Sequence, residues 1–159
     1  MAIHKLMIDD FDDADYTLIA IHSSLEDYRL AYFVNRGLGI RLEKCPKDIG
    51  FKQKETVAFF SRYTFEDNAN DAAWNLIQNK NSAHSTQMGI VSLFTEAGLS
   101  ISTSAFFIPE LKTVDYILKI DAAESENGDI VNGLLDIKHI ATAYKIDHYK
   151  LKSKNNLIF

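Results

Sequence analysis

The sequence predicts an α+β protein, with two helices packed on one face of a largely antiparallel sheet, ferredoxin-like (split βαβ) in connectivity and carrying an extra hairpin. Three observations predict it. The stretch Ile108-Pro109-Glu110-Leu111-Lys112-Thr113-Val114-Asp115-Tyr116-Ile117-Leu118-Lys119-Ile120 reads as a proline-initiated turn feeding a strand. Two helical segments, about residues 24–36 and 125–137, each lie between strand patterns. Read in order, the chain gives strand, helix, strand, strand, a variable hairpin, strand, helix, strand, which reduces to the split arrangement once the hairpin and one neighbouring strand are set aside.

In the organising strand, Val114, Tyr116, Leu118 and Ile120 point to one side at period two, and Asp115, Ile117 and Lys119 to the other. One face is therefore expected to be continuous core. Pro109 removes a ladder donor, so the strand 102–108 has to end there and 110–113 form a short turn.

The same stretch carries a likeness. Ile108-Pro109-Glu110, three residues, then Val114-Asp115-Tyr116 resembles the defining motif of the IPExxxVDY family of small bacterial proteins. Leu25-Glu26-Asp27-Tyr28-Arg29-Leu30 with Asn35, and the closing stretch from Lys150 to Phe159, are similar to that family as well. The segment 82–104 matches nothing of it. The resemblance brings no activity, cofactor or catalytic residue with it, so mechanism has to come from the residues.

At 159 residues, 47% apolar and 25% charged, the chain has the size and balance of one globular domain with one core. Its longest apolar runs fall far short of the roughly 20 residues that span a bilayer. Met1-Ala2-Ile3-His4-Lys5 has no secretory pattern and Cys45 has no second cysteine to pair with, so a cytoplasmic address is expected. A net charge of −5 argues against nucleic acid as a partner. The acidic run Asp9, Asp10, Asp12, Asp13 and Asp15, read as a flexible lead-in, and the basic Lys145, Lys150, Lys152 and Lys154 are placed to attract each other.

Taken in order, residues 16–22 suit a buried strand. Ser23 and Glu26 have the spacing of a capping box, with Gly37 to end the helix. Leu25, Tyr28 and Tyr32 share one side of that helix and Leu30 and Val34 lie nearly opposite, so it is expected to be covered on more than one side. The cover is either the chain itself, through the loop 45–51 or the tail, or a second subunit. Residues 56–65 alternate as one strand, 72–78 return with Trp74 and Leu76 on one face, and 87–94 with 99–108 form the second hairpin. After the second helix, weakened by Gly128 and Gly133, residues 140–146 alternate as a strand.

The candidate chemistry is sparse. No calcium-loop frame fits the acidic run, and His4, His22, His84, His139 and His148 have no close ligand spacing, so no metal and no cofactor is expected. Cys45, beside Lys44, has no assignable base. His22, Ser23 and Ser24, where a strand turns into a helix, form a candidate anion site without a glycine-rich loop. Glu110 and Asp115 are candidate acid/base groups, but a structural role for Pro109, Glu110, Asp115 and Tyr116 suffices. Leu157, Ile158 and Phe159 are expected to dock, on the chain's own core or in a partner, and with Tyr28 and Tyr32 make a candidate interaction surface. A non-catalytic interaction module, as a homodimer or with a protein partner, is the expected function. A small-ligand regulatory domain, or an enzyme using Glu110 or Asp115, are the alternatives.

Overall fold

The structure, a computed structural model, describes residues 16–53, 56–83, 103–122 and 127–159. The acidic run, His4, His84 and the segment 87–94 lie outside these residues. The sheet is built outward from β9 (Tyr116–Ala122), which pairs antiparallel with β1 (Tyr16–His22) on one side and β6 (Ala72–Gln78) on the other. Beyond β1 lies β10 (Thr142–Ile146); beyond β6 lie β5 (Arg62–Asp67) and the two-residue β2 (Glu43–Lys44). The order is β10-β1-β9-β6-β5-β2, antiparallel at every step. Since β1 and β6 both oppose β9, they run parallel with β9 between them, and β9 and β10 run parallel with β1 between them. The β9–α2–β10 unit thus has β1 between its two strands, whereas the strand that follows α1 is β2, at the far edge of the sheet.

Helices α1 (Asp27–Leu38) and α2 (Asn127–Leu135) cover one face, as expected of an α+β fold of this kind. Leu30, Ala31 and Val34 of α1 and Leu134 of α2 pack on Ile19, Ile21, Leu76, Leu118 and Ile120. Trp74 joins this core for its area alone, since its Nε1 is the one buried side-chain nitrogen or oxygen without a hydrogen-bond partner among the described residues. The helices meet where Gly37 leaves room for Ile137 and Gly133 for Leu38; an added Cβ would come within 2.8 Å and 2.6 Å of those side chains. Gly133 is therefore the point of closest helix contact, not merely a weak helix former.

The capping box does not form. Glu26 stands at the N-cap without a side-chain cap bond, and the helix ends at Gly39, with φ +67°, rather than at Gly37. Nor is α1 covered on its Tyr28–Tyr32 side: the two rings are 59% and 58% exposed, and neither the loop 45–51 nor the tail covers them.

Instead the loop and the tail lie on the opposite face of the sheet, which is buried too. Leu18, Ala20, Ile77 and Ile117 form a second core there with Phe60, Phe107 and Ile108 and with Leu151 and Leu157 of the tail. Ile117 is 0% exposed, and Val114, which precedes β9, belongs to this second core and not to the helix side. The expected strand 56–65 breaks at Ser61 because its two halves serve different layers. β4 (Thr56–Phe60) folds over the second core with β3 (Ile49–Gln53), while β5 stays in the main sheet. In the strand 102–108, β8 (Thr103–Phe106) pairs with β7 (Lys80–Ala83), farther along the chain than the expected hairpin arm 87–94, which lies outside the described residues.

One buried amide holds these connections. Asn79, 0% exposed between β6 and β7, donates from Nδ2 to the carbonyls of Leu111 (2.8 Å) and Val114 (2.9 Å) and accepts from the Ile108 N–H (2.8 Å). Its backbone N–H donates to Asp115 O at 2.9 Å and its carbonyl accepts from Phe107 N at 2.8 Å. Five groups of the turn between Phe107 and Asp115 thus find a partner on this one residue, while the Leu111 and Val114 N–H groups close the turn on itself.

Two outcomes follow for stability. Asn79→Ala leaves the Ile108 N–H and the Val114 carbonyl unpaired in the interior at about 1–3 kcal/mol each, while Leu111 O keeps its bond from Val114 N, so a loss of about 2 kcal/mol or more is expected in urea denaturation; a loss below about 1 kcal/mol would contradict the role given to the amide. Gly39→Ala forces a side chain into the left-handed region and is expected to cost about 1 kcal/mol by the same measurement.

Candidate functional site

The motif that organises the sequence comes out of the fold as a set of fasteners. Pro109 opens a single 3₁₀ turn, residues 109–111. Glu110 Oε1 accepts the Ser153 N–H at 2.8 Å and Asn156 Nδ2 donates to Phe107 O at 2.8 Å, so the turn and the tail are tied together twice. Partial burial pushes the Glu110 carboxyl up, but hydrogen bonds from the Ser153 hydroxyl and from nearby backbone N–H groups outweigh it and hold the group below its ordinary range.

Asp115 faces elsewhere. Its Oδ2 accepts the Ser23 N–H at 3.0 Å and its Oδ1 lies 4.0 Å from Lys80 Nζ. Tyr116 donates its hydroxyl to the Leu25 carbonyl at 2.6 Å, fixing the entry to α1. Glu110 thus serves the tail and Asp115 the β1–α1 junction, and no partner is shared between the two acids. Burial pushes the Tyr116 phenol up, with the charges of Asp27 and Asp115 adding to it; burial likewise pushes Tyr63 up to about 12, with Asp27 again second.

His22, Ser23 and Ser24 line an open hollow of about 440 Å³, together with Asp115, Lys138 and His139. Sequence reasoning missed Lys138 and His139, since they arrive only through the pairing of β10 with β1, where Ala141 N donates to His22 O at 2.8 Å. The donors of Ser23 are already engaged. Ser23 N–H goes to Asp115, and Ser23 Oγ donates to His139 O at 2.8 Å and accepts from Leu25 N at 3.3 Å. The anion at this strand-to-helix turn is internal: it is the carboxylate of Asp115. His22 Nε2 sits 3.2 Å from the Tyr144 hydroxyl and stacks on that ring. Among the described residues no group of three or more His, Cys, Asp or Glu is arranged to hold a metal. Cys45, half-buried, accepts from Arg62 Nε at 3.3 Å and lies 3.5 Å from the Thr64 hydroxyl.

The expected interaction surface divides. Tyr28 and Tyr32 stand on the helix side, whereas Leu157, only 2% exposed, belongs to the second core across the sheet. Ile158 stays 72% exposed and Phe159 is partly covered by Phe107, with Arg62 over its ring at 4.8 Å. The tail and α1 therefore do not form one surface.

The molecule defined by these features is an α+β protein with a sheet buried on both faces, and among its described residues no helix is long and apolar enough to cross a membrane. No family model, curated protein or solved structure matches the chain.

Two measurements check the roles of the motif. Because Glu110 has a lowered folded pKa, its contribution is complete above the ordinary glutamate value of 4.5 and is lost as pH falls through the folded value. The stability gap between wild type and Glu110→Gln is therefore expected at pH 7 and should close toward acid; a gap that is constant with pH removes the assignment. Tyr116→Phe is expected to cost about 1 kcal/mol at neutral pH for the lost bond to Leu25. Because the folded phenol is raised, its contribution is complete below pH 10.0 and is lost as pH rises past it, so the alkaline fall in stability should be shallower in Tyr116→Phe than in wild type.

Proposed function

We propose that the chain is a non-catalytic interaction module that acts as a cytoplasmic homodimer through α1, and that its likeness to the IPExxxVDY proteins reflects kinship. The observation that carries this reading is the stripe Tyr28, Arg29, Tyr32, Arg36 on α1, exposed along its length. Positions 28, 32 and 36 share one side of a helix, and Tyr and Arg are the residue types that most often dominate interface energetics. The stripe is also self-complementary. Antiparallel pairing of two α1 helices about Tyr32 sets the two Tyr32 rings together and Tyr28 against Arg36 of the partner subunit, so a cation–π pair forms twice by symmetry.

The alternatives have less support. An anion at His22, Ser23 and Ser24 would have to displace Asp115 from the Ser23 N–H, and acid/base chemistry at Glu110 or Asp115 would use groups that fasten the fold.

Sedimentation velocity at micromolar to submillimolar protein tests the reading. Wild type is expected to dimerise, and Tyr32→Glu to be monomeric, with the same thermal midpoint as wild type at dilutions where both are monomers, since the side chain is exposed. A wild type that stays monomeric throughout, or a Tyr32→Glu variant that dimerises equally well, rules out α1 as the interface.

A further inference from the structure

Away from α1, on the second-core side of the sheet, the tail closes over a hollow of about 320 Å³. One wall is aromatic. The Tyr16 and His148 rings lie 4.4 Å apart, and His148 continues onto Tyr149 at 4.2 Å. The tail supplies the facing side with Leu157, Ile158 and Phe159. At the floor is Lys119, its side chain 13% exposed, with Nζ 5.1 Å from the Tyr16 ring and 5.4 Å from the Phe159 ring and ion-paired to Asp121 at 2.8 Å. Lys154 and Asn155 stand in the lining as well, and Lys154 has no ion-pair partner among the described residues.

The geometry points to a binding site for a small planar aromatic carboxylate, its ring against the Tyr16–His148 wall and its anionic head toward Lys154. The lining is more apolar than polar with a few convergent polar groups, and its volume falls at the low end of the roughly 300–1,000 Å³ typical of small-molecule sites. That suits one or two fused rings and excludes a dinucleotide. An aromatic cage of this kind can also hold a cation, but here the cation over the rings is already Lys119, and no Asp or Glu is among the lining residues. A second cation would meet Lys154 and a Lys119 whose counter-charge, Asp121, is already committed to it. A carboxylate gains a charge-assisted bond from Lys154 and leaves the Lys119–Asp121 pair intact.

Titration of the full chain with 2-naphthoate, followed by calorimetry and by protein-observed NMR, tests the site. The expected result is saturable one-to-one binding with shifts centred on Tyr16, His148 and Phe159, and affinity for neutral 2-naphthamide about tenfold weaker, which corresponds to about 1.4 kcal/mol. Lys154→Gln is expected to remove that preference for the acid while leaving amide binding and the thermal midpoint unchanged, because Lys154 is exposed. Absence of saturation at millimolar naphthoate overturns the proposal. So do equal affinities for acid and amide, tighter binding of naphthylmethylammonium, an indifferent Lys154→Gln, or shifts centred on the hollow beside His22.

Discussion

The fold depends on a single buried side-chain amide. β6 and β9 are neighbours in the sheet, yet the chain between them leaves it, forms β7 and β8 over the second core, and returns through the turn at Pro109. Such an excursion strips several backbone groups of ladder partners, and in a buried position each unpaired group is costly. Asn79 resolves this by offering two donors and one acceptor in a geometry that no apolar residue can imitate. With the turn fixed, Glu110 is aimed at the tail and Asp115 at the start of α1. Position 79 thus governs both the second core and the strand-to-helix junction.

The fasteners on either side of Asn79 share a logic. Each motif side chain binds a backbone group from a segment far away in sequence: Glu110 reaches Ser153, Asp115 reaches Ser23, and Tyr116 reaches Leu25. Bonds of this kind define position more than they add energy, since a net hydrogen bond contributes only about 0.5–1.5 kcal/mol. Burial of apolar area holds the layers together, while these bonds decide where the tail and α1 sit upon them. A motif of mixed apolar, acidic and aromatic residues can therefore be required by architecture without any of its members touching a substrate.

The parts of this fold legible in the sequence are those governed by period. β6, β9 and α1 follow from alternation or helical spacing and β1 from a short apolar run bounded by polar residues, and the antiparallel sheet with two helices follows from their order. What was not legible is which layer a β segment joins. Val57, Phe59 and Tyr63 alternate as one strand, yet the break at Ser61 sends β4 to the second core and keeps β5 in the sheet, since two-period alternation is the same in either layer. The same limit hid the second core itself. Ile117 looked like an outward residue because its neighbours Asp115 and Lys119 are charged, whereas Asp115 lies before the strand and Lys119 near the edge of the buried patch. Asn79 gave no signal, because an asparagine after an apolar strand is the ordinary mark of a solvent turn.

Along β6 and β9 the second face changes character, from Ile77 and Ile117 at one end to Asn75, Lys119 and Asp121 at the other. An apolar cover is favourable over the first part only, and Leu151 and Leu157 lie there. Over the polar part a cover has to accommodate a floor that remains charged. Phe159 does so by setting its ring near both Arg62 and Lys119, contacts that favour a cation against an aromatic face but leave space on either side. The two hollows that flank it, about 320 and 290 Å³, are thus a consequence of strand composition: a tail that closes well on isoleucines closes incompletely on lysine and arginine. In the hollow beside Tyr16 the strand cation Lys119 is held by Asp121, so the cation left without an ion-pair partner among the described residues is Lys154 of the tail.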